Sequence, residues 1–121
     1  MEQTPVLVKF SNLQNIMGML AHALNSGIKP TIEHQTNRVM EVVNEIVTDI
    51  PDRKSWRAFT KPQEVFIEPE SLHAYMKLNS QVSAFMNATY LNDTVTSKAT
   101  TKAIEHYLNY IREYYGLGPI I

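Results

Sequence analysis

The chain has 121 residues, 44% hydrophobic and 19% charged, which excludes a disordered tail and suits one globular domain over residues 1–121 burying roughly two-thirds of its unfolded surface. Eleven Lys and Arg against twelve Asp and Glu leave a net charge of −1, so no global field draws nucleic acid or an anionic membrane, and any such binding would be local. The absence of Cys excludes disulfides and thiolate chemistry. The opening MEQTPVLVKF lacks a basic segment followed by a long apolar core, and no apolar run approaches the roughly 20 residues that span a bilayer; a soluble cytoplasmic protein is the default expectation.

In chain order, Val6 to Phe10 is a short apolar run broken only by Lys9 and reads as a strand or an extended lead-in. Ser11 then caps a helix over about 12–25, with Leu13, Ile16, Met17, Leu20, Ala23 and Leu24 on one face and Gly27 as the left-handed residue that ends it. Gly18 sits on the polar side of this helix, either for a close approach or at a cost in helicity.

The second helix, 31–50, has the cleanest pattern: at about 100° per residue, Ile32, Val39, Val42, Val43, Ile46, Val47 and Ile50 fall within an arc of roughly 160°. Thr31 and Pro30 mark its start and Pro51 its end. The seam Ile32, Thr36, Val39, Val43, Ile46, Ile50 has heptad spacing but lasts under three heptads, which fits one wall of a bundle rather than a free coiled coil. Only Ile28 and Lys29 separate Gly27 from Pro30, so the two helices should form a tight hairpin.

Asp52 to Lys61 carries Arg53, Lys54, Arg57 and Lys61 against Asp52 alone, with Trp56 and Phe59, and compatible with a short helix near 55–59. The following Pro62 to His73 holds Glu64, Glu68 and Glu70. Val65 to Ile67 is a candidate short strand pairing with Val6 to Phe10, at most a trace of two-stranded sheet. A third long helix, 69–91, starts at Pro69 and spreads Leu72, Ala74, Tyr75, Met76, Leu78, Val82, Phe85, Met86 and Tyr90 over an arc of roughly 200°, wide enough for two packing partners. Asp93, Thr94 or Ser97 caps the last helix, 97–115, whose inward face is Ile104, Tyr107, Leu108, Ile111, Tyr114 and Tyr115. Gly116 followed by Leu117 has the form of a Schellman ending. The fold class is all-α, a small bundle of four main helices.

Catalytic chemistry finds little footing. Glu70 and His73 have the Glu-x-x-His spacing of carboxylate-bridged metal bundles, but a second copy is missing. His22, His34 and His106 lie on polar faces, and no metal or other cofactor is expected. There is no Gly-rich loop or nucleophile elbow, and Glu41 with Glu45 on a wet helix face favours solubility over acid–base work. A helix-turn-helix over 12–50 fails on charge, because Arg38 stands against Glu33, Glu41, Glu45 and Asp49.

Two binding signals remain. Tyr and Met are enriched at protein interfaces, and the wide arc of the third helix leaves Leu78, Phe85 and, from the last helix, Tyr110 as a candidate self-association patch. Alternatively Arg53, Lys54, Arg57 and Lys61 would neutralise phosphates while Trp56 stacks on a base; the plainer role of that segment is a plug for the bundle end. The sequence therefore points to a non-enzymatic helical interaction or assembly protein that forms homo-oligomers, with a nucleic-acid-contacting accessory protein as the alternative. Richness in Asn, Thr, Gln and Met is compatible with an accessory or viral protein without indicating origin.

Overall fold

The computed structural model describes residues 5–48 and 71–120, with side chains from Leu7 and from His73 onward. Of these residues 88% are helical, in four helices with no strand among them: α1 (Pro5–Ser26), α2 (Lys29–Thr48), α3 (Ser71–Tyr90) and α4 (Thr94–Tyr114). The all-α bundle is as expected; several ends are not.

Helix α1 starts seven residues early, so Val6 to Phe10 forms its first turns rather than a strand and Ser11 is interior rather than a cap. Pro5 opens it without loss, since a first-turn amide has no partner within the helix. Helix α2 likewise starts at Lys29: the Ile32 amide donates to the Ile28 carbonyl at 3.0 Å, which places Pro30 in the first turn and Thr31 beyond the cap. Ile50, Pro51, the candidate helix 55–59, the candidate strand at 65–67 and the Pro69 start lie outside the described residues.

Of the three candidate caps for α4, Asp93 holds the position: its Oδ1 accepts the Thr96 amide at 3.1 Å and its Oδ2 the Thr96 hydroxyl at 2.6 Å. These hydrogen bonds, the side-chain one first, hold its carboxyl below the usual carboxylate range. Asp93 also completes the end of α3. Its amide donates to the Ala88 carbonyl at 2.8 Å and the Asn92 amide to that of Thr89 at 3.2 Å, with Asn92 left-handed at φ 59, a Schellman turn with Asn in the glycine position. The turn expected at Gly116 is present too: Leu117 donates to Arg112 at 2.8 Å, Gly116 to Glu113 at 3.0 Å, and φ at Gly116 is 75.

Helices α1 and α2 pack as one hairpin and α3 and α4 as another, and the hairpins meet through α2 on α4 and α1 on α3. Cross-helix contacts give the directions. Lys9, early in α1, reaches the Glu45 carbonyl late in α2; Arg112, late in α4, reaches Thr36 early in α2; and Leu7 and Phe10 share a groove with Met86 and Tyr90 at the end of α3. Neighbours thus run antiparallel throughout, and Thr48 and Ser71 sit at opposite ends of the bundle. The core between the helices is built from Leu13 and Leu20, Ile32, Val39, Val43 and Ile46, Leu78 and Phe85, and Ile104, Leu108 and Ile111, all fully buried. Four predicted stripes therefore meet in a single core, as amphipathic helices require.

Candidate interaction surface

Leu78 and Phe85, expected on a self-association patch, are both 0% exposed. The wide arc of α3 is consumed by two neighbours, α4 and α1, so these side chains belong to the core and that patch is corrected. Tyr110 is half-buried against the same core. Tyr114, expected inward, is 56% exposed: it lies in the final turn, with its ring edge-on to Tyr115 at 5.1 Å. The alternative contact residues Arg53, Lys54, Trp56, Arg57 and Lys61 lie outside the described residues. So does Glu70, while His73, His22 and His34 are exposed and His106 packs edge-on to Tyr107. Glu41 is taken up by Arg38 at 2.6 Å, an exposed pair of i,i+3 spacing.

Among the described residues, one surface that collects apolar side chains is an open groove between the start of α1 and the end of α3. Leu7, Phe10, Ser11 and Gln14 line one wall, Met86, Asn87 and Tyr90 the other. The first wall has i, i+3, i+4, i+7 spacing, one continuous helical stripe about 10 Å long. Leu7 and Phe10 sit roughly 60–120° round the helix from Leu13, and Met86 and Tyr90 are similarly displaced from Leu78. The groove is thus built from the flanks of two core stripes. Phe10 and Met86 are half-buried against the core, whereas Leu7 and especially Tyr90, at 61%, remain exposed. Among the described residues, its walls include no Lys, Arg, Asp, Glu or His.

A second polar constellation lies at the far end of the bundle. Arg112 is buried, with its Nε donating to the Gly118 carbonyl at 2.6 Å and its Nη1 to Asn37 Oδ1 at 3.0 Å and Thr36 Oγ1 at 3.1 Å. The Thr36 hydroxyl itself donates to the Ile32 carbonyl at 2.9 Å and the Glu33 carbonyl at 3.0 Å. Ile120 donates to Asn109 Oδ1 at 2.8 Å, so the residues after α4 fold back and are stapled to α4 and α2 through one guanidinium. The signal was present in the sequence: Arg112 follows Leu108 by four residues, on the inward arc of α4, and Thr36 is the one polar member of the α2 seam. Between α3 and α1, the Tyr75 hydroxyl donates to the Met17 carbonyl at 2.9 Å, and burial raises its pKa. Among the described residues, the buried polar side chains Thr36, Ser97, Thr100 and Arg112 thus serve structural hydrogen bonds. No family model, curated protein or solved structure matches the chain.

Proposed function

We propose that the protein is a non-enzymatic helical assembly protein that acts by self-association. The observation that carries this reading is the apolar surface left over at the end of the bundle where α1 begins and α3 ends, where Leu7, Val8, Tyr90 and Leu91 are exposed. Isolated exposed apolar residues are ordinary, but several gathered at one end of the bundle, beside a groove where Leu7, Phe10, Met86 and Tyr90 meet Ser11, Gln14 and Asn87, support an interaction role. Among the described residues, the structural employment of the buried polar side chains Thr36, Ser97, Thr100 and Arg112 supports a binding rather than a catalytic role. No described helix is long and apolar enough to cross a membrane.

Sedimentation equilibrium from micromolar to several hundred micromolar tests the proposal, with a mass rising above 13.8 kDa as the expected result. A mass fixed at the monomer value across that range would reject it. The alternative, nucleic-acid contact through Arg53, Lys54, Trp56, Arg57 and Lys61, calls for single-strand binding that weakens linearly in log affinity against log salt and disappears when Arg53 and Arg57 are reversed to Glu. Absence of binding at low salt would remove it.

A further inference from the structure

Independently of the self-association reading, we propose that one edge of the Arg112 guanidinium is a binding site for a carboxylate carried on an extended peptide, and that residues 118–120 are the strap covering it. Arg112 is a buried charge, 7% exposed, and its guanidinium stays cationic at any pH a protein tolerates. Buried cations are ordinarily paired with a carboxylate, because leaving water is costly. Here, among the described residues, every acceptor is neutral: the Gly118 and Glu33 carbonyls, Thr36 Oγ1 and Asn37 Oδ1. Glu33 and Glu113 are exposed, and neither pairs with it.

The fork is filled unevenly. Nη1 is held on α2 by Asn37, Thr36 and the Glu33 carbonyl at 3.0, 3.1 and 3.4 Å. On the other side Nε donates to the Gly118 carbonyl at 2.6 Å, while Nη2 makes no hydrogen bond among the described residues. Nε and Nη2 together present two parallel N–H groups, the arrangement that meets both oxygens of a carboxylate. A single neutral carbonyl thus occupies an edge that suits two charged oxygens.

The segment over that edge is able to leave. Beyond the turn that ends α4 it is held by the Arg112 bond, by the Ile120 amide donating to Asn109 Oδ1 at 2.8 Å, and by the half-buried Ile120 side chain. Gly118 and Pro119 are exposed, and a Cβ at Gly118 meets nothing within 4 Å, so the strap pivots there while α4 stays intact. The Lys29 ammonium, 3.7 Å from where a side chain at Gly116 would begin, adds a second cation beside the pivot. A peptide that replaces the strap keeps its contacts and supplies the missing charge. A phosphate dianion suits the site less, because the exposed carboxylates of Glu33 and Glu113, the one beside an Arg112 acceptor and the other next to Arg112 in the chain, oppose a second negative charge more than a first.

The probe is N-acetyl-Asp-Pro-Ile-amide, with its aspartate in the place of Gly118, titrated into the full chain while NMR follows the Arg112 Nε–H signal and the Ile120 amide. The Nε–H signal should shift and exchange at Ile120 should accelerate as the strap is displaced, with the Asn counterpart of the probe binding about tenfold more weakly. Ile120→Ser loosens the strap and should tighten binding, exposed Lys29→Met should weaken it with helical content unchanged, and Arg112→Met should abolish it. Equal binding of the Asp and Asn peptides, no binding to Ile120→Ser at millimolar probe, or binding that survives Arg112→Met overturns the assignment. A phosphoserine counterpart that binds more tightly than the Asp probe overturns it in favour of phosphate.

Discussion

Replacing Arg112 by Met should destabilise the bundle by about 2 kcal/mol. Hydrogen bonds to a charged group contribute about 1.5–3 kcal/mol each, and Arg112 makes well-formed ones to Gly118, Asn37 and Thr36. Against the roughly 4.5–9 kcal/mol of three such bonds stands the desolvation of a guanidinium that is only 7% exposed, and the several kcal/mol this returns when the cation is removed leaves a net loss on the order of 2 kcal/mol. Met keeps much of the packing of the arginine stem. Thr36 keeps its bond to the Ile32 carbonyl, and the Gly118 carbonyl, at an exposed residue, regains water. Lysine is the sharper probe, because it leaves a buried charge that reaches only part of the fork's acceptors; Arg112→Lys should be no more stable than Arg112→Met. Urea unfolding followed by circular dichroism, with the slope unchanged, measures both. A double-mutant cycle with Thr36→Val should show a coupling of at least about 0.5 kcal/mol, and amide exchange at Ile120 should accelerate. A Met variant within about 0.5 kcal/mol of the parent, or a Lys variant equal to it, would refute the account of Arg112 as a clasp.

Gly18 lies mid-α1, exposed, and a Cβ there meets nothing within 4 Å, so Gly18→Ala should stabilise by about 0.5–1 kcal/mol in thermal or urea unfolding. Ile46→Ala and Val43→Ala, at fully buried core positions, should each cost about 1–4 kcal/mol by the same assay, through lost burial and a residual cavity. Because the Asp93 pKa is lowered in the folded protein, its contribution is present above the unfolded carboxylate pKa and is lost as pH falls through the folded value. Asp93→Asn, which still caps α4, should therefore leave stability near pH 7 little changed and flatten the decline below about pH 4, read from unfolding midpoints between pH 2 and 7.

The helical class, the core faces and the glycine-terminated ends of this protein are local properties. Leu13 with Leu20, Ile32 with Val39, Val43 and Ile46, and Ile104 with Leu108 and Ile111 repeat at helical spacing because each stripe faces a common interior, and Gly27 and Gly116 stand where φ is positive because few other residues tolerate it. The start of α1 was hidden for the converse reason: Leu7 and Phe10 serve the groove, off the Leu13 stripe, so the core period fades before the helix does. Burial at Leu78 and Phe85 was likewise beyond the sequence. The wheel shows how wide the apolar arc of α3 is, but only the packing shows that α4 and α1 together cover it. Arg112 makes the same point with a charge, since its acceptors on α2 lie more than seventy residues away. Periodicity is set by the geometry of one helix, whereas which flank stays open and which polar group is paired depend on neighbours that tertiary packing alone brings into contact.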